Sequence, residues 1–241
     1  MRAAPERGRP SFVWRFGQER RFQMLVPFLP ANPEPVLDIG CGVGVYMQRF
    51  REEALRAFGI DVEMSHLRAA ARDGLPVACA LAEQLPFPDA TFGTVLLHEV
   101  LEHFACDRLA LQEALRVTRP GGRLFIFVPN RLYPFETHGI YLGRRYVFGN
   151  IPFVPYLPAP LRRRLCPHVR SYTGASLRRL CQGLCCRIVH HVRIYPGYDK
   201  IWRRWPRVAG AVRSLAYLAE RTPLQLFGLS HFLVLERLAA P

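Results

Sequence analysis

Along the first 130 positions, apolar residues fall in short runs that end in an acid or a glycine, each followed by helical spacing. Val36-Leu37-Asp38-Ile39 reads as a buried strand. It runs into Gly40-Cys41-Gly42-Val43-Gly44, a turn with glycine at every second position. Helical spacing follows over about residues 46–57, and Ala57-Phe58-Gly59-Ile60-Asp61 reads as a second strand ending in an acid. Further strands are expected around Val95 and over residues 124–128. Such alternation predicts a parallel sheet with crossover helices. An N-terminal helix is expected over residues 11–29. Arg15, Glu19, Arg20 and Arg21 would face outward, with Phe12, Phe16, Met24 and Leu25 against the domain.

After Val128 the pattern changes. Residues 130–172 are rich in proline, aromatics and arginine. Residues 146–161 carry no charge but contain Pro152, Pro155, Pro158 and Pro160, which excludes a regular helix across them. The apolar content argues for an ordered cap and against a linker. Periodicity resumes at Thr173, a helix N-cap, with a helix to about Gly183 and strands over residues 186–195 and 230–237. Between those strands, residues 201–222 read as a basic helix bearing Trp202 and Trp205. One domain is therefore expected, with a core over 30–129 and 173–238 and cap insertions at about 130–172 and 197–228.

The glycine turn carries the first chemistry. A bare turn opening a helix presents unpaired N–H groups and partial positive charge, which suits a carboxylate or phosphate. The dinucleotide pattern G-x-G-x-x-G fails, because Val45 stands at its third glycine, and no P-loop is present. Asp61 can accept two hydrogen bonds from a ribose diol. Gly40-x-Gly42-x-Gly44 behind a strand ending in Asp38 resembles motif I of class I S-adenosylmethionine (SAM) methyltransferases. Ala82-Glu83-Gln84-Leu85-Pro86-Phe87-Pro88-Asp89, Val100-Leu101-Glu102-His103 and Arg119-Pro120-Gly121-Gly122 resemble blocks of their ubiquinone/menaquinone-biosynthesis-like branch, type 11. The resemblance spans about residues 35–129. It implies a Rossmann-like α/β fold with sheet order 3-2-1-4-5-7-6, only strand seven antiparallel. It also implies SAM as cofactor, held by Asp38, Gly40, Gly42, Gly44 and Asp61, with Val62, Ala82 and Glu83 near the adenosine. Two positions depart from the branch: Leu81 and Gly93 stand where aspartate is usual.

Composition narrows the class. Half the residues are hydrophobic, which excludes disorder, and 241 residues can bury a single sizeable core. No signal peptide or transmembrane run is evident, so a cytoplasmic location is expected. The seven cysteines form no C-x-x-C pair. Cys181, Cys185, Cys186, His190 and His191 match no zinc spacing and are read as packing. Charge is asymmetric. Residues 1–130 balance 15 Arg against 15 acids, so the whole +14 lies beyond them, in 17 Arg and Lys200 against four acids. That implies an anionic partner: an acidic membrane surface, a phosphorylated or carboxylated acceptor, or RNA, although no RNA-binding module is present.

Methyl transfer from a sulfonium needs positioning first, and a base only where the acceptor must lose a proton. Candidate catalytic groups at the strand ends are His98, His103, Glu136 and His138, with Glu136 and His138 as base and orienter. Glu99-x-x-Glu102-His103 resembles a Mg²⁺-binding segment of quinone-pathway and small-RNA O-methyltransferases. The same residues also occur in relatives without metal, and no metal is assigned. Arg162-Arg163-Arg164 and His168-x-Arg170 are read either as a grip on an anionic group or as a solvated basic face. The expected activity is methylation of a small amphipathic or acidic acceptor, lipid-, quinone- or polyketide-like, on oxygen or carbon. RNA methylation and non-catalytic SAM binding remain as alternatives.

Overall fold

The computed structural model describes residues 14–239, apart from the side chain of Lys200. Chain order begins α1 (Phe16–Leu25), β1 (Val36–Ile39), α2 (Val45–Glu52), β2 (Ala57–Asp61), α3 (Met64–Arg72) and β3 (Val77–Cys79). It continues through β4 (Phe92–His98), α4 (Asp107–Val117) and β5 (Thr118–Pro129). The first insertion forms β6 (Phe135–Glu136), β7 (Ile140–Leu142), β8 (Arg145–Val147), β9 (Ile151–Pro152) and α5 (Ala159–Leu165). Then follow α6 (Gly174–Cys181), β10 (Cys186–Ile194), α7 (Asp199–Arg204), α8 (Pro206–Ala219) and β11 (Ser230–Arg237).

Seven strands form one sheet in the order β10-β11-β5-β4-β1-β2-β3, which is the predicted 3-2-1-4-5-7-6. Neighbours from β3 to β5 pair parallel, while β11 runs antiparallel to both β5 and β10. The period of two sends alternate residues into two cores. Leu37, Val95, Leu97, Ile126 and Leu235 pack with α4 and α6 on one face. Val36, Leu96, Phe125, Phe127 and Phe232 pack with α1, α2 and α3 on the other. The Gly93 departure has a steric reason: a Cβ there would run into the backbone of Asn32 and Pro33. Thr173 caps α6 as predicted, in a reciprocal box with Ser176.

The insertions differ from expectation in detail. The second contains two helices broken at Trp205-Pro206, because proline cannot continue α7 but suits the first turn of α8. The first folds as two short strand pairs, β6 with β9 and β7 with β8, followed by α5. The N-terminal helix covers only Phe16–Leu25, and Phe12 lies outside the described residues. Its outward arginines are a correction. Arg20 pairs with Glu220 at 2.5 Å, and Arg21 turns inward onto β4.

Candidate active site

Gly40, Gly42 and Gly44 all adopt positive φ, at 75°, 56° and 81°, which L side chains rarely tolerate. A Cβ at Gly40 would strike Val100, and one at Gly44 would strike Leu75. At Gly42 it would meet nothing, so the turn presents open backbone there. The Gly42 N–H donates to one Asp61 carboxylate oxygen at 2.9 Å, and the Glu63 N–H donates to the other at 2.8 Å. Each oxygen keeps a lone pair for a diol. Val62 and Leu81 stand more than half exposed beside this acid, an uncovered apolar seat for a flat ring. Leu81 thus offers surface where relatives offer a carboxylate. Asp38 lies fully buried, and burial together with the Asp61 charge pushes its carboxyl up to about 7. A polar anchor, an open turn and an apolar seat fit the nucleoside end of the expected SAM donor. Ala82 is buried under the seat, whereas Glu83 accepts the Cys106 N–H at 3.2 Å and caps the approach to α4.

The acceptor side forms where the loop after β4 meets the first insertion. His98 is sandwiched against Tyr46 and Phe127, at ring separations of 4.5 and 5.2 Å. Its Nε2 lies 3.0 Å from Arg21 Nη1; arginine can only donate, so Nε2 accepts. Burial and Arg21 push the imidazole down to about 3. His98 is thus half-buried, with Nε2 engaged by Arg21 and the ring held between two aromatic side chains. Glu99, at φ 52°, pairs with Arg21 at 3.0 Å and accepts the Ser230 hydroxyl at 2.6 Å. Burial acts to raise its carboxyl, but Arg21, His98, the Ser230 hydroxyl and His138 together outweigh this and hold it low.

His138 stands at the centre of the cap contacts. Its Nδ1 lies 3.3 Å from Glu136 Oε1, and its own backbone N–H donates to that oxygen at 3.1 Å. Its carbonyl accepts from Tyr146 Oη at 2.6 Å and from His168 Nε2 at 3.1 Å. Glu136 is buried and receives Arg162 Nη2 at 2.8 Å. Burial acts to raise the Glu136 carboxyl, but His138 and Arg162 outweigh it and hold it at about 2. Arg162, also buried, donates in addition to the Val169 carbonyl. Arg170 donates to the carbonyls of Phe104 and Ala105. These two arginines tie the cap down and do not grip an external anion, while Arg163 and Arg164 remain exposed.

His138 Nε2 points towards His103 and Glu102. The two imidazole rings are 5.7 Å apart, and Glu102 Oε1 lies 3.9 Å from Nε2. His103 Nδ1 donates to the His168 carbonyl at 3.1 Å, leaving Nε2 as its free nitrogen, and burial pushes its imidazole down to about 4. Glu102 is buried with no hydrogen-bond partner on either oxygen among the described residues. Burial and the Glu99 charge raise its carboxyl well above the usual range. Ligand atoms of Glu102, His103 and His138 lie within 4.8 Å of one another. The structure thus joins His103, Glu136 and His138, sets His98 and Glu99 aside on Arg21, and adds Arg21, Arg162 and His168. Nothing in local spacing marks those three. In the sequence, Arg162 and His168 stand out only as candidates for an anion grip, and Arg21, on α1, reads as facing outward.

Residues 37–126 match the family model described as a methyltransferase domain. Over 47% of this chain and 47% of the relative, the sequence is 33% identical to demethylmenaquinone methyltransferase of Corynebacterium urealyticum. It is 32% identical to ubiquinone biosynthesis O-methyltransferase of Parvibaculum lavamentivorans, over 48% of each. The chain thus spans about half the length of these curated relatives. The fold is similar to a SAM-dependent methyltransferase of Mesorhizobium loti, with a TM-score of 0.59 and 18% identity over 90% of this chain and 97% of that one. The YcgJ protein of Bacillus subtilis gives 0.59 and 18%, over 92% and 100%.

Proposed function

We propose that this chain, whose residues 37–126 match the methyltransferase-domain model, is a class I SAM-dependent methyltransferase of the type 11 branch that methylates a small amphipathic acceptor bearing an acidic hydroxyl, phenolic or enolic. The observation that carries this reading is the Glu136–His138 pair inside the cap. Bound SAM supplies an activated methyl on a sulfonium with a neutral leaving group. Asp61 offers its remaining lone pairs to the ribose, and Val62 and Leu81 offer their exposed faces to the base. His138 Nε2 takes the hydroxyl proton, while ionised Glu136 fixes the ring and stabilises the imidazolium. A phenolate or enolate is nucleophilic at oxygen and at the adjacent carbon, so the pose in the cap selects O- or C-methylation. A quinone-like acceptor agrees with the names of the two curated relatives.

A specific observation favours a second reading. Two unpartnered oxygens on a buried carboxylate are costly unless protonated or bound to a cation. With His103 and His138 they form a mixed oxygen and nitrogen donor set, suited to a divalent ion that would itself acidify the acceptor hydroxyl. The test of the main reading transfers labelled methyl from SAM into a cell extract, separated into lipid, small-molecule, RNA and protein fractions. Label in the organic-soluble fraction, lost in Asp61→Ala and kept in EDTA, is the expected result. EDTA-sensitive label in that fraction favours the second reading. Label in RNA, or SAM binding without any transfer, overturns both.

A further inference from the structure

Helix α8 is built inside out. Its inner face carries Ala209 and Arg213, both buried. The Arg213 guanidinium donates to the Gly197 carbonyl at 2.6 Å, pairs with Asp199 at 3.5 Å and lies over the rings of Phe16 and Trp202. Val208, Ala211, Leu215 and Leu218 share the opposite face at helical spacing and are exposed. Leu215 is 70% exposed and Leu218 60%, more than isolated surface leucines require. Trp205 before the helix, and Leu224 and Phe227 in the turn after it, are also exposed.

The charge around this face has one sign. From residue 196 onward the acids are Asp199, Glu220 and Glu236. Each is drawn inward, onto Arg213, Arg20 and Arg123 respectively. Arg203, Arg204, Arg207 and Arg221 are exposed and take part in none of the ion pairs among the described residues. An apolar stripe with Trp at one end and unpaired arginines at its flanks is the surface that lies in an anionic membrane interface. An oligomeric or nucleic-acid contact uses only half of it: the first needs no single-sign charge, the second no leucine stripe.

We propose that the α7–α8 face and the turn of residues 223–227 seat this protein peripherally on an anionic lipid bilayer. No helix among the described residues is long and apolar enough to cross one. The site is coupled to this surface by Asn130, whose side-chain amide donates to the carbonyls of Leu226 and Gly228 at 2.8 and 2.7 Å. Asn130 opens the loop that carries Glu136 and His138. Seating would bring the cap mouth to the lipid phase, where amphipathic acceptors concentrate. The surface itself does not depend on what the acceptor is.

The test is co-sedimentation of the full chain with vesicles of phosphatidylcholine alone, or mixed with phosphatidylglycerol, at low and high salt. Binding to the mixed vesicles with a blue shift of tryptophan emission is expected, weakened by salt. Leu215→Asp with Leu218→Asp should weaken partitioning at least about tenfold, and Arg204→Gln with Arg207→Gln by about the same. These side chains project from the fold, so the melting temperature should not change, and the arginine pair serves if the leucine pair misfolds. Absence of binding to mixed vesicles overturns the proposal. So does binding unchanged in both variants, or a leucine variant that changes only the oligomeric mass.

Discussion

The donor half and the acceptor half of this site are made from different materials. The donor half, residues 36–83, uses backbone: three positive-φ glycines, strand ends and two carboxylates. The acceptor half uses long side chains from distant segments, with Arg21 from α1 holding β4 and Arg162 from α5 holding Glu136. A backbone-built site fails locally when altered. A side-chain-built site fails through whichever buried charge loses its partner.

The sharpest way to break that contrast is Arg162→Met. It removes the arginine partner of the buried Glu136 carboxylate, leaving the His138 contacts to hold it, and should cost about 3–5 kcal/mol of stability in denaturant unfolding. Asp61→Ala should instead leave stability nearly intact and weaken SAM binding roughly a hundredfold by calorimetry, through loss of charge-assisted hydrogen bonds. An equal stability loss in both variants would erase the distinction.

Acid separates the halves next. His231 is buried and His98 half-buried, with imidazoles held near 3 by desolvation, aided by Arg21 at His98 and by His191 at His231. The folded protein keeps them neutral while the unfolded chain takes up protons below about pH 6.5. Stability is therefore full above that pH and drains as pH falls towards 3, by about 2 kcal/mol per histidine at pH 5. Asp38 has the opposite sign. Its raised carboxyl favours the folded state below about 3.8, and that contribution is lost as pH rises through about 7. Thermal melts from pH 5 to 7.5 should rise, and His231→Gln should flatten the slope. The smallest effect belongs to Arg163→Gln and Arg164→Gln. These exposed neighbours of Arg162 should change stability by less than about 0.5 kcal/mol.

What the sequence disclosed follows the same division. The strands, the glycine turn and the acid at the end of β2 were legible because periodicity and motif spacing are local, and the strand order was what the family resemblance implied. His138 and Glu136 were legible as a pair because they lie two residues apart in one loop. Arg21 was not, since helical spacing placed it outward and only the tertiary fold brings it to Glu99 and Ser230. The same limit hid Arg162, one of three identical neighbours of which a single side chain is buried. The contacts of His98 were equally hidden, because Arg21 and Tyr46 reach it from α1 and α2.

The central claim is that His138, oriented by Glu136, takes the acceptor's proton beside an independently built donor site. The direct measurement is His138→Gln, with SAM affinity by calorimetry and single-turnover methyl transfer into the organic-soluble acceptor fraction. The account predicts an unchanged dissociation constant and transfer slowed by about a hundredfold or more. Transfer at the wild-type rate, or loss of SAM binding together with activity, would contradict it.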